Sequence, residues 1–369
     1  MQPEKPILID LAYSIADQNV ETTKSIGIYN FSVQLAQHLS EHPQIRKLTV
    51  FSNRTISPHL RLTTKASVRD FNSARRGKAG RIFWDQWALY QSAEATGHHR
   101  LFLPKGFCSF LARPRLELVA FVHDVMGDFY RQHYPGFESR LESFYFSHSL
   151  AATLRQCRVI FTNTEFSKRE LAGWAKHKGL PCPKVVVAGY GFAPPEPDWT
   201  EKENRILLFA SQLPHKRTDI AIRFLTRWLR ETKFDGNIDC IGILSPKMTK
   251  PEGRGWRWIG RVLPAQAREM MRRARAIVYV SEYEGFGMPA VEAVLEGSCP
   301  VFSDIPPLRE AMGEAGCPFS NDSEESFFKA MDRALATSPE TIHAWAARLL
   351  HRHHWPAVAG RIIQELSSV

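Results

Sequence analysis

The chain has 369 residues, of which 44% are hydrophobic and 23% are charged, which is typical of a soluble globular protein long enough for two domains. No apolar run approaches the roughly 20 residues that cross a bilayer, and the N-terminus runs into a strand-like segment without a signal core. Its six cysteines are scattered without a C-x-x-C pair, which argues against a disulfide framework or a zinc site and favours the cytoplasm.

The first elements alternate between strand and helix. Residues 7–9 form a short apolar run that predicts a strand, and residues 48–51 predict the next one. Between them, Phe31, Leu35 and Leu39 recur at helical spacing. We expect Gly27 in the loop that enters this helix, where a phosphate or an acceptor could approach the backbone closely because no side chain blocks it.

The net charge of +10 is concentrated in one stretch. Between residues 54 and 115 there are twelve Lys or Arg and three Asp or Glu, interleaved with aromatic residues. We predict a mobile loop at its densest part, whose basic residues are Arg75, Arg76, Lys78 and Arg81. The helix that follows carries Trp84 and Trp87, which we expect in the core. The loop is predicted to contact anionic lipid or a phosphate-bearing acceptor, the alternative being a solvated basic face; no nucleic-acid motif is present.

Residues 118–122 predict a buried strand, and His123 stands at its end. Ligands of open parallel sheets bind beyond the carboxyl ends of the strands, so His123 is a candidate for donating a hydrogen bond to a sugar hydroxyl or a phosphate. A helix is predicted from Ser167 to Trp174, followed by a strand at residues 185–187. Residues 189–198 are rich in Gly and Pro and predict a linker between two domains.

The second half restarts the alternation, with predicted strands at residues 205–210, 238–244, 257–259, 276–280 and 301–303. Two runs of strands and helices predict an α/β fold with two doubly wound, Rossmann-like parallel-sheet domains that face a cleft. Lys216 and Arg217 follow the first of these strands and are candidates for binding phosphate. We expect domains at residues 1–192 and 193–350, with residues 351–369 as a helix that packs back on the first domain.

The stretch from Ser281 to Pro300 indicates a ligand site. A buried strand ends there, a loop with two glycines follows, and Pro289 opens a helix that Gly297 closes. Free N–H groups at a helix start bind anions such as phosphate. Glu284 and Glu292 lie eight positions apart, and because a carboxylate repels phosphate we expect them to accept hydrogen bonds from a sugar and a ribose diol.

Residues 284–293, EGFGMPAVEA, resemble the E-x7-E signature of retaining glycosyltransferases of family 4, and residues 297–306 resemble the run that follows it there. Residues 81–86 resemble an R-x-x-W-x-Q segment of a mannosyl- and rhamnosyl-transferase-like branch. Residues 25–29 resemble the N-terminal G-I-G-x-Y loop, with Ser25 in place of its first glycine. Lys216 stands at the family's lysine position in the donor-phosphate loop, without the companion arginine.

The resemblance implies a GT-B fold and a retaining, metal-independent transfer of a hexose, with mannose favoured, from a GDP- or UDP-linked donor to a lipid-linked or polysaccharide acceptor. No cofactor is implied, and no D-x-D or H-E-x-x-H motif predicts a metal. The scattered cysteines and the basic stretch together predict a cytoplasmic enzyme, peripheral on the inner face of the cell membrane. The catalytic candidates are His123, Lys216 and Glu284. The donor-binding candidates are Gly27, Lys216, Arg217, Glu284, Gly285, Phe286, Gly287, Met288 and Glu292.

Two other functions fit parts of the pattern. A glycoside-cleaving enzyme could use Glu284 and Glu292 as its two carboxylates. A catalytically silent GT-B protein could serve as a scaffold, although intact Glu284, Glu292, Lys216 and His123 argue against that.

Overall fold

The computed structural model describes residues 7–18, 26–71, 77–194, 201–253 and 255–368. Contacts divide the chain into two units. Unit 1 comprises Met1–Gly191 together with His353–Val369, and unit 2 comprises Phe192–Arg352. The segment predicted as a linker spans the junction between the units in sequence, and its residues 195–198 fall outside the described part.

The described residues of unit 1 contain one all-parallel sheet with the strand order β3-β2-β1-β4-β5-β6-β7. Its strands are β1 (Ile9–Ser14), β2 (Ile45–Ser52), β3 (Ala66–Asp70), β4 (Arg100–Leu103), β5 (Glu117–Phe121), β6 (Cys157–Thr162) and β7 (Lys184–Val187). The order changes direction between β1 and β4. The carboxyl ends of strands at such a switch point are the usual place for a ligand.

Helices connect these strands, as parallel pairing requires. They are α1 (Ile26–Glu41), α2 (Gly77–Phe83), α3 (Leu89–Glu94), α4 (Met126–His133), α5 (Arg140–Gln156) and α6 (Glu165–His177). A π-helical turn, Trp84–Ala88, joins α2 to α3. Ser139 begins α5 with a capping box, in which its side chain accepts from the Glu142 amide while the Glu142 carboxylate accepts from the Ser139 amide.

The described part of unit 2 contains a second all-parallel sheet, with the strand order β10-β9-β8-β11-β12-β13. Its strands are β8 (Glu203–Ala210), β9 (Asn237–Gly242), β10 (Trp256–Gly260), β11 (Ala274–Tyr279), β12 (Cys299–Ser303) and β13 (Cys317–Phe319). Its helices are α7 (Thr218–Glu231), α8 (Pro264–Arg273), α9 (Met288–Leu295), α10 (Pro306–Met312), α11 (Glu324–Ala336) and α12 (Pro339–Arg352). The predicted fold class, two Rossmann-like parallel-sheet domains, is confirmed.

The last helix, α13 (Trp355–Ser367), belongs to unit 1 and packs against α1. Trp355 anchors it, because its ring lies 5.5 Å from the Phe31 ring and 5.4 Å from the Tyr190 ring. Gly191 must be glycine here, since a Cβ on it would stand 2.4 Å from the Trp355 side chain. The end of the chain thereby completes the aromatic core of the N-terminal unit.

Two predictions for the basic stretch are wrong. Residues 77–81, predicted as a loop, belong to helix α2, which begins at Gly77. Arg75 and Arg76 lie outside the described residues. Trp84 is buried and stacks on Phe71 at 4.0 Å, as expected, but Trp87 is 53% exposed. Both tryptophans lie in the wider π-helical turn, where residues three apart do not share one face as they do in an α-helix.

Two element boundaries also differ from the prediction. Gly27 is the second residue of α1 and not part of a loop. Helix α6 begins before Ser167, because the Thr164 side chain accepts a hydrogen bond from the Ser167 amide at 3.0 Å and so acts as the N-cap.

Candidate active site

The loop between β11 and α9 is held in one conformation by its neighbours in unit 2. The Ser281 amide donates to Ser303 Oγ at 2.9 Å, and Asn321 Nδ2 donates to the Ser281 carbonyl at 3.0 Å. Gly287 ends the loop with φ of 94° and caps α9. A Cβ on Gly287 would lie 2.0 Å from Leu308 Cδ2, so both its backbone conformation and its surroundings require glycine.

The loop that carries Lys216 is fastened to this one. Residues Pro214–Lys216 form a 3-10 turn after β8, and β8 is the sheet neighbour of β11. The His215 carbonyl accepts hydrogen bonds from the Glu282 amide at 2.9 Å and from Ser281 Oγ at 3.1 Å. Adjacent parallel strands thus deliver two loops, 68 positions apart at Lys216 and Glu284, to one end of the sheet.

Lys216, Glu284 and Tyr279 form a hydrogen-bonded cluster. Lys216 Nζ donates to Glu284 Oε1 at 2.5 Å and to the Tyr279 hydroxyl at 2.6 Å. The Tyr279 hydroxyl in turn donates to Glu284 Oε1 at 2.6 Å. The hydrogen bonds that Glu284 accepts from Lys216 and from Tyr279 both end at Oε1. Among the described residues, Glu284 Oε2 and the third N–H of Lys216 have no hydrogen-bond partner. A carboxylate oxygen and an ammonium proton are thus available side by side for a ligand.

The electrostatics of this cluster favour an ionised Glu284. Burial by itself would raise the pKa of Glu284, but the Lys216 ammonium and the hydrogen bonds from Lys216 and Tyr279 outweigh burial and lower it. Burial and the nearby Lys216 charge lower the pKa of His215 to about 4, so this imidazole is neutral at pH 7. An ionised Glu284 is a hydrogen-bond acceptor and is poorly suited to be the general acid of a glycosidase.

Arg217, the other candidate for a phosphate contact, already pairs with two carboxylates of the protein. Its guanidinium contacts Asp219 Oδ2 at 3.0 Å and Glu282 Oε2 at 3.1 Å. Its backbone has φ of 39°, and among the described residues it is the only non-glycine with positive φ. Such a conformation costs about 1–3 kcal/mol, so the rest of the loop must hold it in place. Arg217 shapes the end of the Lys216 turn where α7 begins.

Glu292 lies in the second turn of α9 and is half-buried. Its carboxylate makes no hydrogen bond or ion pair within the described ranges, unlike that of Glu284. Burial raises the pKa of Glu292, while the Arg268 guanidinium opposes this and Glu296 adds to it. A carboxylate that lacks a protein partner and remains partly accessible is suited to accept hydrogen bonds from a ligand.

The backbone between these glutamates forms the start of α9. Gly285 and Phe286 are buried, and the Phe286 ring packs 6.0 Å from Phe192 within unit 2. Met288 begins the helix and Pro289 follows it. The first N–H groups of a helix lack intrahelical acceptors and carry its positive dipole end, which favours an anion at this point.

His123 lies in unit 1 at the end of β5. Its Nε2 is 2.9 Å from the Pro104 carbonyl and therefore carries the ring proton, which leaves Nδ1 as an acceptor. Burial lowers the pKa of His123 to about 4, although the hydrogen bond to Pro104 opposes this. His123 can thus accept a hydrogen bond at neutral pH, whereas the sequence suggested a donor. Gly27 lies in α1 of unit 1, and its role in donor binding stays a prediction.

Sequence reasoning missed Tyr279 and Asn321. Tyr279 ends β11 and looks like one more residue of an apolar strand, although a hydroxyl at the carboxyl end of a strand beside a glutamate loop is a usable signal. Asn321 lies 40 positions from the Ser281 carbonyl to which it donates, and no local pattern reports this contact.

The described residues include neither a candidate metal cluster nor a candidate membrane span. No three His, Cys, Asp or Glu side chains there are grouped so as to hold a metal ion. No helix there is long and apolar enough to cross a membrane.

Comparison with known proteins gives the following similarities. Residues 204–337 match the family model described as "Glycosyl transferases group 1". The chain is 33% identical over 108 residues to a GDP-mannose:cellobiosyl-diphosphopolyprenol alpha-mannosyltransferase of Xanthomonas oryzae pv. oryzae, covering 27% of this chain and 28% of that protein. It is 25% identical over 217 residues to the O-antigen chain mannosyltransferase RfbU of Salmonella typhimurium, covering 57% and 58%.

The match thus spans only about a quarter of the first relative's length and under two thirds of the second's. The similarity in fold covers much more. Sucrose-phosphate synthase from Thermosynechococcus elongatus superposes with a TM-score of 0.70 over 97% of this chain and 99% of that one, at 13% identity. At that identity the likeness concerns the fold, and the two parallel-sheet units are those of the GT-B fold.

Proposed function

We propose that this chain, a glycosyltransferase of the GT-B fold with group 1 similarity over residues 204–337, transfers a hexose from a nucleotide-sugar to a lipid-linked or polysaccharide acceptor. The observation that carries the proposal is the Lys216–Glu284–Tyr279 cluster beside the start of α9, with Glu292 accessible on that helix. The cluster provides a cation that can bind phosphate. It also provides two carboxylates that can accept from hydroxyl groups, Glu284 with protein hydrogen bonds and Glu292 without them in the described residues.

Departure of the nucleoside diphosphate is the step in which charge develops, so fixed positive charge is needed there. Lys216 uses two of its N–H donors on Glu284 and Tyr279, and the third can donate to a phosphate oxygen. The N-terminal end of α9 adds its dipole. In this proposal Lys216 is the catalytic cation, while Gly285, Gly287 and Met288 supply backbone close to the diphosphate.

The two glutamates take different parts of the donor. Glu284 Oε2 accepts from a hydroxyl of the transferred sugar, since Oε1 is committed to Lys216 and Tyr279. Glu292 accepts two hydrogen bonds from the ribose diol of the nucleotide. His123 Nδ1 accepts from a hydroxyl of a substrate bound by unit 1.

Mannose is the favoured sugar and GDP the favoured nucleotide, because the relatives named above are mannosyltransferases and one uses GDP-mannose. Transfer with retention and without metal or cofactor also belongs to the proposal, on the E-x7-E resemblance and the lack of a D-x-D motif. The acceptor class follows from the polyprenol-linked acceptor in the name of the first relative.

A peripheral position on the inner face of the cell membrane completes the proposal, and the described residues of unit 1 supply a new candidate surface. Large apolar side chains are exposed at several positions from α2 to the start of α5, among them Ile82, Phe83, Trp87, Leu111, Leu141 and Phe144. The Tyr145 hydroxyl donates to Asp85, and the Phe110 ring contacts Phe144, so these segments adjoin. Arg81, Arg113 and Arg140 lie beside them in sequence, as anionic lipid requires.

Liposome co-sedimentation tests the membrane contact. Replacing Trp87 and Phe144 by serine should reduce binding to anionic vesicles, whereas Leu263→Ser, which changes an exposed leucine of unit 2, should not. Serine at Arg75, Arg76 and Lys78 tests the basic stretch in the same assay. Equal binding by all variants, or none by the intact chain, would remove the membrane from the proposal.

A thermal-shift panel of GDP-, UDP-, ADP- and dTDP-sugars tests the donor. A ligand at 100 times its Kd stabilises the native state by about 2.7 kcal/mol, which is readily measured. We expect GDP-mannose to raise Tm, Glu292→Ala to lose most of this shift, and the matched control Glu325→Ala, an exposed glutamate of the same unit, to keep it. A panel without any shift would instead favour the catalytically silent scaffold.

A further inference from the structure

A second polar cluster lies at the carboxyl edge of the unit 1 sheet, where the strand order changes direction. β1 ends at Ser14 and its neighbour β4 ends at Leu103, and a charged residue of the cluster, Asp17 or Lys105, lies in the loop that follows each strand. Asp85 joins them from the π-helical turn. None of these residues belongs to the site in unit 2, and no sequence motif singled them out for a function.

The ammonium of Lys105 lies between two carboxylates. Its Nζ contacts Asp17 Oδ2 directly and stands 3.8 Å from Asp85 Oδ2. The Tyr145 hydroxyl donates to the same Asp85 oxygen at 3.0 Å. The Asp17 side chain is only 7% exposed, compared with 32% for Lys105, so the cluster lies just beneath the surface.

A cavity of about 20 Å³ lies among Ser14, Asp17, Asp85 and Lys105, with apolar side chains of β4 and α3 in its walls. Ser14 Oγ lines it, is almost completely buried, and makes no hydrogen bond within the described part of the chain. Buried polar atoms are nearly always hydrogen-bonded, so a buried, unpartnered hydroxyl facing a cavity points to a group bound there.

The donors and acceptors around the cavity define that group. The carboxylates accept, the Lys105 ammonium donates, and the Ser14 hydroxyl does both. A hydroxyl can donate to a carboxylate while it accepts from Lys105 or Ser14. A phosphate would be repelled by the Asp17 carboxylate, and an alkyl group would leave Ser14 Oγ without a hydrogen bond. The volume suits one oxygen, since about 10–15 Å³ holds a water-sized group.

We propose that Ser14, Asp17, Asp85 and Lys105 form a hydroxyl subsite that binds one hydroxyl group of a sugar acceptor. The inference rests on the proposed function, because it supplies the acceptor for that transfer. It also places the acceptor beside His123, whose Nε2 donates to the carbonyl of Pro104, the residue before Lys105.

The loops of the hydroxyl subsite are held rigidly. Asn53 Nδ2 donates to the Ala16 and Gln18 carbonyls, each at 2.9 Å, and so fixes the residues on both sides of Asp17. Gly106, with φ of 86°, lets the Lys105 loop lie against β5, where a Cβ would be 2.7 Å from the Phe121 carbonyl oxygen. A preorganised site loses little entropy on binding, which favours specificity for a single hydroxyl.

The test compares two buried serines. Ser14→Ala removes the hydroxyl of the subsite, and Ser149→Ala is the matched control, because Ser149 Oγ is also buried without a partner in the described residues but lies on α5, outside the cavity lining. Saturation-transfer NMR with octyl mannoside, glucoside, galactoside, rhamnoside and N-acetylglucosaminide first identifies the glycosides that the full chain binds. Affinity for the best of them is then measured for both variants and with its monodeoxy forms.

We expect Ser14→Ala to weaken glycoside binding roughly 3- to 10-fold, the value of one neutral hydrogen bond, and Ser149→Ala to leave it unchanged. One monodeoxy form should bind the wild type less tightly yet bind Ser14→Ala no worse than the parent glycoside does.

Equal affinities of Ser14→Ala and Ser149→Ala, or additive effects of the mutation and every deoxy substitution, would overturn the hydroxyl subsite and leave a bound water as the occupant. So would a failure of all five glycosides to bind. These results are distinct from failure of the proposed function, which shows as the absence of any nucleotide-sugar effect on Tm in the unchanged protein.

Discussion

Removing Lys216 should affect both stability and turnover, and the stability change should depend on pH. In the native protein Glu284 is 8% exposed and the Lys216 ammonium is its only ionic partner among the described residues. Lys216→Ala leaves the Glu284 carboxylate with the Tyr279 hydrogen bond alone. The burial of this carboxylate indicates that Lys216 contributes to stability.

The magnitude follows from burial. Breaking a fully buried ion pair costs about 3–5 kcal/mol, and because the Lys216 side chain retains 21% exposure we expect a loss of about 1–3 kcal/mol at pH 7. The lowered pKa of Glu284 stabilises the native state above its unfolded value of 4.5, and this is lost as pH falls through the folded pKa. Without Lys216, burial raises that pKa instead. The difference between the two proteins should therefore be largest at pH 7 and shrink as pH falls below 4.5 toward the lowered folded pKa of Glu284.

Urea unfolding at pH 4, 5.5 and 7 measures this difference. Lys329→Ala is the control, since Lys329 makes a similar pair with Glu325 on an exposed face of α11, and we expect no resolvable change. Turnover of Lys216→Ala should fall about 10²–10³-fold if Lys216 stabilises the leaving diphosphate. A stability loss that does not vary with pH, or a turnover within a few-fold of wild type, would refute the assigned role of this pair.

Three further predictions concern the same units. Glu292→Ala should weaken binding of nucleotide and nucleotide-sugar alike by about 10-fold or more in calorimetry, since two hydrogen bonds to a charged acceptor are lost; unchanged affinity for free nucleotide would exclude the ribose contact. Tyr279→Phe should move the acidic limb of the turnover profile to higher pH, because Glu284 loses a hydrogen bond that lowers its pKa; an unmoved limb would contradict this. His123 and His215, neutral when folded with pKa values of about 4 against 6.5 unfolded, should each withdraw up to about 3 kcal/mol of stability as pH falls from 6.5 to 4; urea midpoints that stay constant over that range would disprove it.

Much of the fold could be predicted because local sequence patterns indicate most of its strands and helices. Apolar runs of strand length alternate with helical periodicity, and a parallel α/β sheet is the arrangement that buries both. Strands β3, β4 and β13 were missed, because they are three to five residues long and lack a long apolar run. Trp87 was misassigned, since the π-helical turn that exposes it leaves no signal in hydrophobicity.

For the candidate sites, the sequence by itself determined the residues of the loop before α9 and the lysine position of Lys216, because glycine, proline and glutamate at fixed spacing act through local backbone conformation. Only the tertiary structure decided that Tyr279 joins Lys216 and Glu284, and that Asp17 contacts Lys105 across 88 positions. The physical reason is parallel pairing. It places the carboxyl ends of neighbouring strands side by side however far apart they are in the chain, so contacts between their loops depend on strand order, which no local pattern records.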